Sequence, residues 1–589
     1  MSLKFILSLL IIGTSFFLPG RNTKFNFKPI LLRDQHTQDS LKRKDPFGMR
    51  MRKVPSGINN IYEPVVIKKA PGNESTVLRL ANHTLKIFFI NRPGPANKLM
   101  SISSLDNGIT WGEPEEEIDL PGVAYYANNL VQDEKGNLHC IFHIFSEGEN
   151  GYRGRHLNLW YCRTRGNSKD WLKPKKIFDG YVGSIRGFIE LKTKRLLLVV
   201  ARAVPSRVEK PESNLTDYGW NEIVSFYSDD RGKTWKTSEN SIKIPVESNK
   251  KTRYGGVEPS ILEIKDGKIW MLIRTNKGYL YQSFSDDGGA TWQRAEPTKF
   301  ISSDSPAALL RLSDNRVVVL WCSDQRWDDP NSYANGGREV LHAAISNNEG
   351  KTWKGFREIL TSPLMNSAVQ GDKGTAYSSA IETSEGKILL VSGQGEGKSV
   401  IMFDPDWLEQ KTAYDNFSEG LVQWTLFGAD SLTGLEHFRS GNKNKSLLIR
   451  KSDNKKDQDT EGIWNFPMTA KGKLIIEISI NPNNKGISLA LTDHFSVSDD
   501  TKASLEAPVY FSLDRRNILG ANGSFIKRVE INWDTYQKKV SVLLDGKLKE
   551  EKKFQKEAPL GLNYLRMGIP GAVPDLAGYY IKSVKMLYK

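Results

Sequence analysis

An eight-residue pattern recurs four times in the chain, and it constrains the fold more than any other feature. The copies read SLDNGITW (Ser104–Trp111), SDDRGKTW (Ser228–Trp235), SDDGGATW (Ser285–Trp292) and SNNEGKTW (Ser346–Trp353). The shared form is Ser-x-Asp-x-Gly-x-Thr-Trp, with Asn348 replacing the Asp in the last copy. Trp235, Trp292 and Trp353 lie about 60 residues apart, and Trp111 to Trp235 spans about twice that. A degenerate copy is therefore expected between them, at CRTRGNSKDW ending on Trp171. A period of this length with several short strands per unit reads as a β-propeller.

Turn chemistry explains each position of the pattern. Asp accepts backbone N–H bonds, Gly takes positive φ, Ser or Thr bridges the turn, and Trp packs it down. The boxes are therefore read as structural staples rather than ligand sites.

Six hairpins of apolar strands keep the same rhythm: TVLRLANHTLKIFFI, NLVQDEKGNLHCIFHIF, GFIELKTKRLLLVVA, SILEIKDGKIWMLIR, AALLRLSDNRVVVLW and SAIETSEGKILLVSG. They predict an all-β chain with a six-bladed propeller over 61–412. Beyond DNFSEGLVQW the boxes stop and alternating strands such as KLIIEISI and KKVSVLLDG take over. Residues 413–589 read as a β-sandwich, a lectin-like (concanavalin-like) jelly roll. Packing against the propeller is the preferred role for it, because no exposed aromatic cluster stands out.

The first 20 residues, MSLKFILSLLIIGTSFFLPG, have the shape of a signal peptide or N-terminal anchor, too short for a confident membrane span. Residues 21–60 are polar and basic and read as a linker. Export, to the periplasm or the exterior, is expected. The three cysteines do not form a disulfide framework; Cys140 and Cys162 read as buried thiols that lie close enough in sequence pattern to pair. The net charge of +15 comes from lysines spread along the chain. That is a solvated surface rather than a nucleic-acid face, which needs a dense basic stripe. No CxxC, HExxH, calcium-loop or phosphate-cradling glycine pattern occurs, so no metal or cofactor is expected.

In a propeller the starts of the innermost strands, with the ends of the second strands, converge on one end of the axis. Those positions hold Asn73 and Glu74, Tyr126 and Asn128, Ser184 and Arg186, Glu258, Asp304 and Ser305, and Tyr377; the second strands add Arg92, His143, Arg202, Arg274, Asp324 and Gln394. Arginines fork onto carboxylates and carboxyls act as acid, base or nucleophile, so the ring suits an anionic sugar.

The boxes resemble the Asp-boxes of the sialidase (neuraminidase) superfamily, whose members are six-bladed propellers. Within GVEPSILEIKDGKIWMLIR, Glu258 opens a hairpin and Arg274 ends it, as the family's Glu and second carboxylate-binding Arg do. In GGREVLHAAISNNEGKTW, Arg338 precedes the strand to a box, like the family's third Arg. In GTAYSSAIETSEGKILLVSGQ, Tyr377 resembles the nucleophilic tyrosine. The resemblance implies a retaining glycosidase in which Tyr377 attacks the anomeric carbon, Glu258 takes its proton, and Arg274 and Arg338 hold a substrate carboxylate. It departs from the family at blade one. APGNESTVLRL has Asn73 or Glu74 where the first Arg belongs, and FFINRPGPANKLM offers Arg92 but no acid Asp. Gln394 stands where a Glu would support the first Arg. Glu74, Asp304 and His143 are the candidate acids, and Arg92 a candidate replacement cation. A uronate-cleaving polysaccharide lyase using Tyr377 or His143 as base, and a non-catalytic glycan-binding protein, are the alternatives.

Overall fold

The computed structural model describes residues 52–589, except 92–96, 149–150, 167–168, 205–219, 246–254, 328–336, 363–372, 429–431, 438–444, 453–459, 482, 498–499, 501, 516–517, 519–525 and 572–573. The expected leader, most of the linker and Arg92 lie outside the described residues. No helix among the described residues is long and apolar enough to cross a membrane.

The architecture is all-β. Six four-stranded antiparallel sheets follow one another. The first is Thr76–Arg79, Leu85–Ile90, Lys98–Ser104 and Glu115–Asp119. The second is Ala124–Gln132, Leu138–Gly148, Gly151–Arg163 and Lys175–Phe178; the third is Gly187–Glu190, Leu196–Ala203, Asn221–Ser228 and Lys236–Thr237. The fourth is Gly256–Glu263, Ile269–Thr275, Tyr279–Ser285 and Glu296–Ile301; the fifth is Ala308–Arg311, Val317–Trp321, Val340–Ser346 and Lys354–Thr361. The sixth takes Ser379–Glu382, Ile388–Ser392 and Ser399–Phe403, and its outer strand is Val65–Lys69 from the start of the region. Each predicted apolar hairpin supplies the first two strands of one sheet.

The second strands read as near-continuous apolar runs because both of their faces are covered. In LLLVVA, Leu197 and Val199 pack with Ile261 and Met271 of the fourth sheet, while Leu196, Leu198 and Val200 pack with Ile141 and Leu159 of the second. Every neighbouring pair of sheets shares such a core. The cores run through all six sheets and return, since Val77, Leu85 and Ile87 of the first sheet pack with Leu389 and Val400 of the sixth. The first strands likewise touch one another in a cycle. This is a β-propeller arrangement.

The boxes lie between the third and fourth strands and fix the sheet stack. In the second copy, Asp230 accepts bonds from Thr234 N (2.9 Å), Thr234 Oγ1 (2.6 Å), Lys233 N (3.0 Å) and Ser228 Oγ (2.8 Å). Each box also plugs the preceding sheet. A Cβ on Gly232, at φ +78°, would stand 1.8 Å from Tyr161 Oη, so no side chain fits there. Trp292 Nε1 donates to Ser225 Oγ of the preceding sheet at 2.6 Å, and Trp171 of the degenerate copy donates to Glu117 at 3.3 Å. Burial raises the Asp230 pKa, but bonds from Thr234, Ser228 and Lys233 outweigh it and hold the carboxyl at about 2. Its stabilisation is therefore present above the ordinary carboxylate pKa and lost as pH falls towards about 2. Asp230→Ala is expected to cost about 1–3 kcal/mol at pH 7. Denaturation across pH checks this: the difference from wild type must shrink in acid.

Cys140 and Cys162 stand opposite each other on adjacent strands, and both are free and buried, as is Cys322.

After the sixth sheet, two further sheets enclose one core. One runs in the order Thr433–His437, Lys445–Lys451, Asp575–Tyr588, Lys471–Ile480, Ile526–Asp534, Lys539–Leu544, Lys547–Lys553, with Thr412–Asp415 also paired to Asp575–Tyr588. The other is Trp424–Phe427, Glu461–Thr469, Leu562–Gly568, Gly486–Thr492 and Val509–Asp514. Alternation places Leu474, Ile476 and Ile478 against Leu489, Leu491 and Phe511. This region binds the fifth sheet through buried polar groups. His342 Nε2 and Tyr564 Oη are 2.6 Å apart, Tyr564 Oη donates to Glu358 at 2.8 Å, and Asn563 donates to Phe356 O at 2.9 Å.

Candidate functional site

Three residues that open first strands carry left-handed backbone: Glu74 (φ +51°), Glu258 (φ +48°) and Tyr377 (φ +71°). None is the Gly or Asn that ordinarily tolerates this conformation, so each is locally strained. The three belong to one polar cluster assembled from the first, fourth and sixth sheets and the loops beside the third and fifth.

Tyr377 Oη is at its centre. It donates to Glu258 Oε1 at 3.3 Å and accepts from Arg274 Nη1 at 2.9 Å, with Arg338 Nη2 at 3.5 Å. Arg274 also donates through Nη1 to Glu258 Oε2 (2.6 Å) and through Nε to Asp304 Oδ1 (2.7 Å). Register explains the first of these pairs: Arg274 pairs with Val257 across the fourth sheet's hairpin, and a bulge follows at Glu258. That irregularity turns Glu258 towards the arginine on the neighbouring strand. Arg338 Nη1 donates to Gln394 Oε1 at 3.1 Å, and Gln394 Nε2 donates to Glu74 Oε1 at 2.8 Å. Ser184 Oγ donates to Glu74 Oε2, and Ser184 N to Glu258 Oε1 at 3.4 Å. Two guanidinium groups lie near the Tyr377 ring centroid, Arg338 at 5.1 Å and Arg186 at 5.8 Å.

Burial raises the Tyr377 pKa well above the ordinary tyrosine value, and the Glu258 charge adds to this; Arg338 and Arg274 oppose it. The phenol is therefore protonated at neutral pH and loses its proton only to a base in direct contact. Glu258 Oε1 is in that position.

The sequence-predicted residues divide as follows. Tyr377, Glu258, Arg274, Asp304, Arg338, Gln394 and Glu74 form one hydrogen-bonded network. Arg92 lies outside the described residues. Asp304 has no exposed surface and is ion-paired to Arg274, which orients the arginine and removes Asp304 from the role of proton donor to a ligand. His143 also has no exposed surface, and its ring meets the backbone at Gly183. Burial, assisted by Arg186, lowers its pKa to about 3. His143 is thus a buried neutral imidazole, not a ligand-binding cation. Ser184 and Arg186 occupy equivalent ring positions in the third sheet; their contacts with Glu74 and Tyr377 depend on the sheets' arrangement and had no local motif. Among the described residues no group of three or more His, Cys, Asp or Glu side chains is arranged to hold a metal ion.

Beside Arg338, Glu339 is fully buried and Asp324 nearly so, and the two carboxyl groups meet each other. Burial raises both pKa values, and Glu339 raises that of Asp324 further, so the pair retains a proton well above the usual carboxylate range. A raised carboxyl pKa opposes folding once pH exceeds the unfolded value. Asp324→Asn is therefore expected to raise the thermal midpoint at pH 7–8, and the gain should vanish below roughly pH 4. Melting curves at both pH values check it.

No curated protein matches the sequence. Among solved structures, the chain is similar to a protein of unknown function from Dyadobacter fermentans, at 20% identity over 58% of this chain and 97% of that one, TM-score 0.42. It is also similar to Trypanosoma rangeli sialidase in complex with sialic acid (15% identity, 92% and 94% covered, TM-score 0.39). A third similar structure is NanB sialidase from Streptococcus pneumoniae (15%, 60% and 72%, 0.40). Residues 127–390 match the family model of the BNR repeat-like domain. Over that segment, which is less than half of the chain and holds three of the four boxes, the protein is similar to the BNR repeat-like family.

Proposed function

We propose that this protein is an exported, exo-acting glycoside hydrolase that cleaves an anionic or complex glycan with retention of configuration. Its architecture is read as a six-bladed propeller over 61–412 and a lectin-like jelly roll over 413–589. The cycle of inter-sheet cores and the two-sheet C-terminal core support this reading. The observation that carries the function is Tyr377 Oη at 3.3 Å from Glu258 Oε1, with Arg274 at 2.9 Å.

In the first step the Tyr377 oxygen bonds to the anomeric carbon as the glycosidic C–O bond breaks. The phenol proton passes to Glu258, and the departing oxygen takes a proton from the protonated carboxyl of Glu74. Water then attacks the anomeric carbon and gives a proton to Glu74 as the C–O bond to Tyr377 breaks, while Glu258 returns its proton to the phenol oxygen. A neutral phenol suits an anionic substrate, because it does not repel the substrate as a carboxylate nucleophile would.

The test is incubation with a panel of acidic and neutral glycans, with NMR of the released sugar. Release of a terminal sugar whose anomeric configuration is retained is expected. An unsaturated product absorbing in the ultraviolet would replace this reading with the lyase; no release from any glycan would leave a binding protein.

A further inference from the structure

We propose that Arg357 and Trp407 hold a small inorganic anion, a halide such as chloride, in the seam between the fifth sheet and the C-terminal two-sheet region. The proposal does not depend on the hydrolase reading. Arg357 stands on the fifth sheet's Lys354–Thr361 strand and is 6% exposed. Its Nε donates to Asn465 Oδ1 of the C-terminal region at 3.3 Å, while Nη1 is buried without a hydrogen-bond partner. The guanidinium carbon lies 4.2 Å from the ring centroid of Trp407, which belongs to the 3₁₀ turn Pro405–Glu409 and is 3% exposed. The indole Nε1 is also buried and unpartnered. Two side chains in contact, from different elements, thus each keep one buried donor unmet.

The charge argues for an ion rather than a water. Burial lowers the Arg357 pKa to about 10, so the group is still a cation at neutral pH. Among the described residues no carboxylate is ion-paired to it. The acids whose charges reach it, Glu63 and Glu358, are engaged by Arg52 and by Tyr564 Oη, and Arg52 is itself a cation that opposes Arg357. Asn465 is no counter-ion: its Oδ1 also accepts from Glu358 N at 3.1 Å, and its Nδ2 donates to Phe356 O at 3.3 Å and Asn563 O at 3.2 Å. A buried cation without a counter-charge is costly, and water supplies acceptors but no charge. The complement of two N–H donors and one positive charge is an acceptor that carries negative charge and no proton. It must be small, because both side chains are almost fully enclosed. Such an anion ties the fifth sheet to the C-terminal region, so the folded state gains stability as halide concentration rises.

Two measurements on the full chain test this. In wild-type crystals soaked in sodium bromide, an anomalous scattering peak should lie within hydrogen-bond reach of Arg357 Nη1 and Trp407 Nε1. In solution, the wild-type thermal midpoint should be about 1–2 °C higher in sodium chloride than in sodium gluconate of equal ionic strength, since gluconate is too large to enter. Arg357→Met keeps the stem over Trp407 and removes the charge, so its midpoint should not distinguish the two salts. No bromide peak at the site, whether it holds a water or nothing, overturns the proposal, and so does a salt difference of the same size in Arg357→Met. A bromide peak with a wild-type midpoint indifferent to the salt is an adventitious ion only, and overturns it as well. If Arg357→Met fails to fold, the wild-type bromide peak and salt comparison still decide.

Discussion

Tyr377→Phe is expected to abolish turnover while leaving the fold and substrate binding in place. The ring stays, with its buried edge and its flanking arginines, and only Oη is lost. That oxygen makes the covalent bond in the proposed reaction, so kcat should fall by at least about 10³-fold. KM should move little, because the surrounding arginines remain. The variant should stay within about 1 kcal/mol of wild-type stability, since the lost bond to Glu258 is long at 3.3 Å. Steady-state kinetics on whichever glycan the panel identifies, with a melting curve, checks it. Substantial residual kcat would remove Tyr377 from the covalent role and leave it as a packed aromatic between cations. Glu258→Gln supplies a matched control: it keeps the shape of the side chain but removes the base, so it should lower kcat without releasing Arg274 from Asp304.

The largest stability effect is expected at Arg274. It is 8% exposed, and it neutralises Glu258, also 8% exposed, and Asp304, which has no exposed surface. Arg274→Met would keep the stem and delete the charge, leaving two carboxylates buried beside each other. Removing one partner of a buried ion pair costs about 3–5 kcal/mol. The sign with pH follows from the residue left behind. An uncompensated buried carboxyl has its folded-state pKa raised, so its destabilisation is full at neutral pH and fades as pH falls to the unfolded carboxylate value near 4. Arg274→Met should therefore be closest to wild type in mild acid. Adding Asp304→Asn should restore part of the loss, because the second substitution removes a charge the first left unpaired. Equilibrium denaturation of the two single variants and the double variant, at two pH values, measures this. A loss below about 1 kcal/mol, independent of pH, would show that water or the neighbouring arginines already screen the two acids.

How far the sequence could be read depended on whether a feature was local. The boxes were legible because turn chemistry is set within eight residues, and Asp230 makes its bonds to Ser228, Lys233 and Thr234. The hairpins were legible because strands covered on both faces must be apolar throughout. Their sequence spacing then placed Glu258, Arg274, Asp304, Tyr377, Gln394 and Glu74 near one another, while Arg338 was singled out only by the family resemblance. What each residue does there was not legible. Asp304 and His143 looked like candidate acids, yet Asp304 is Arg274's buried counter-ion and His143 is buried and neutral. Their roles depend on depth and on which charges face them from other sheets.

The sequence alone thus determined the repeating sheet, its turns and the approximate ring of polar residues, because these follow from periodicity and short-range bonding. Only the tertiary structure decided which arginine is saturated and which lacks a counter-ion, because Arg274 meets Asp304 30 residues away and Tyr377 103 residues away. It also decided that three non-glycine residues, Glu74, Glu258 and Tyr377, take left-handed backbone. Strain of that kind has no sequence signature, since it is imposed by the packed sheets around the residue rather than preferred by the residue itself.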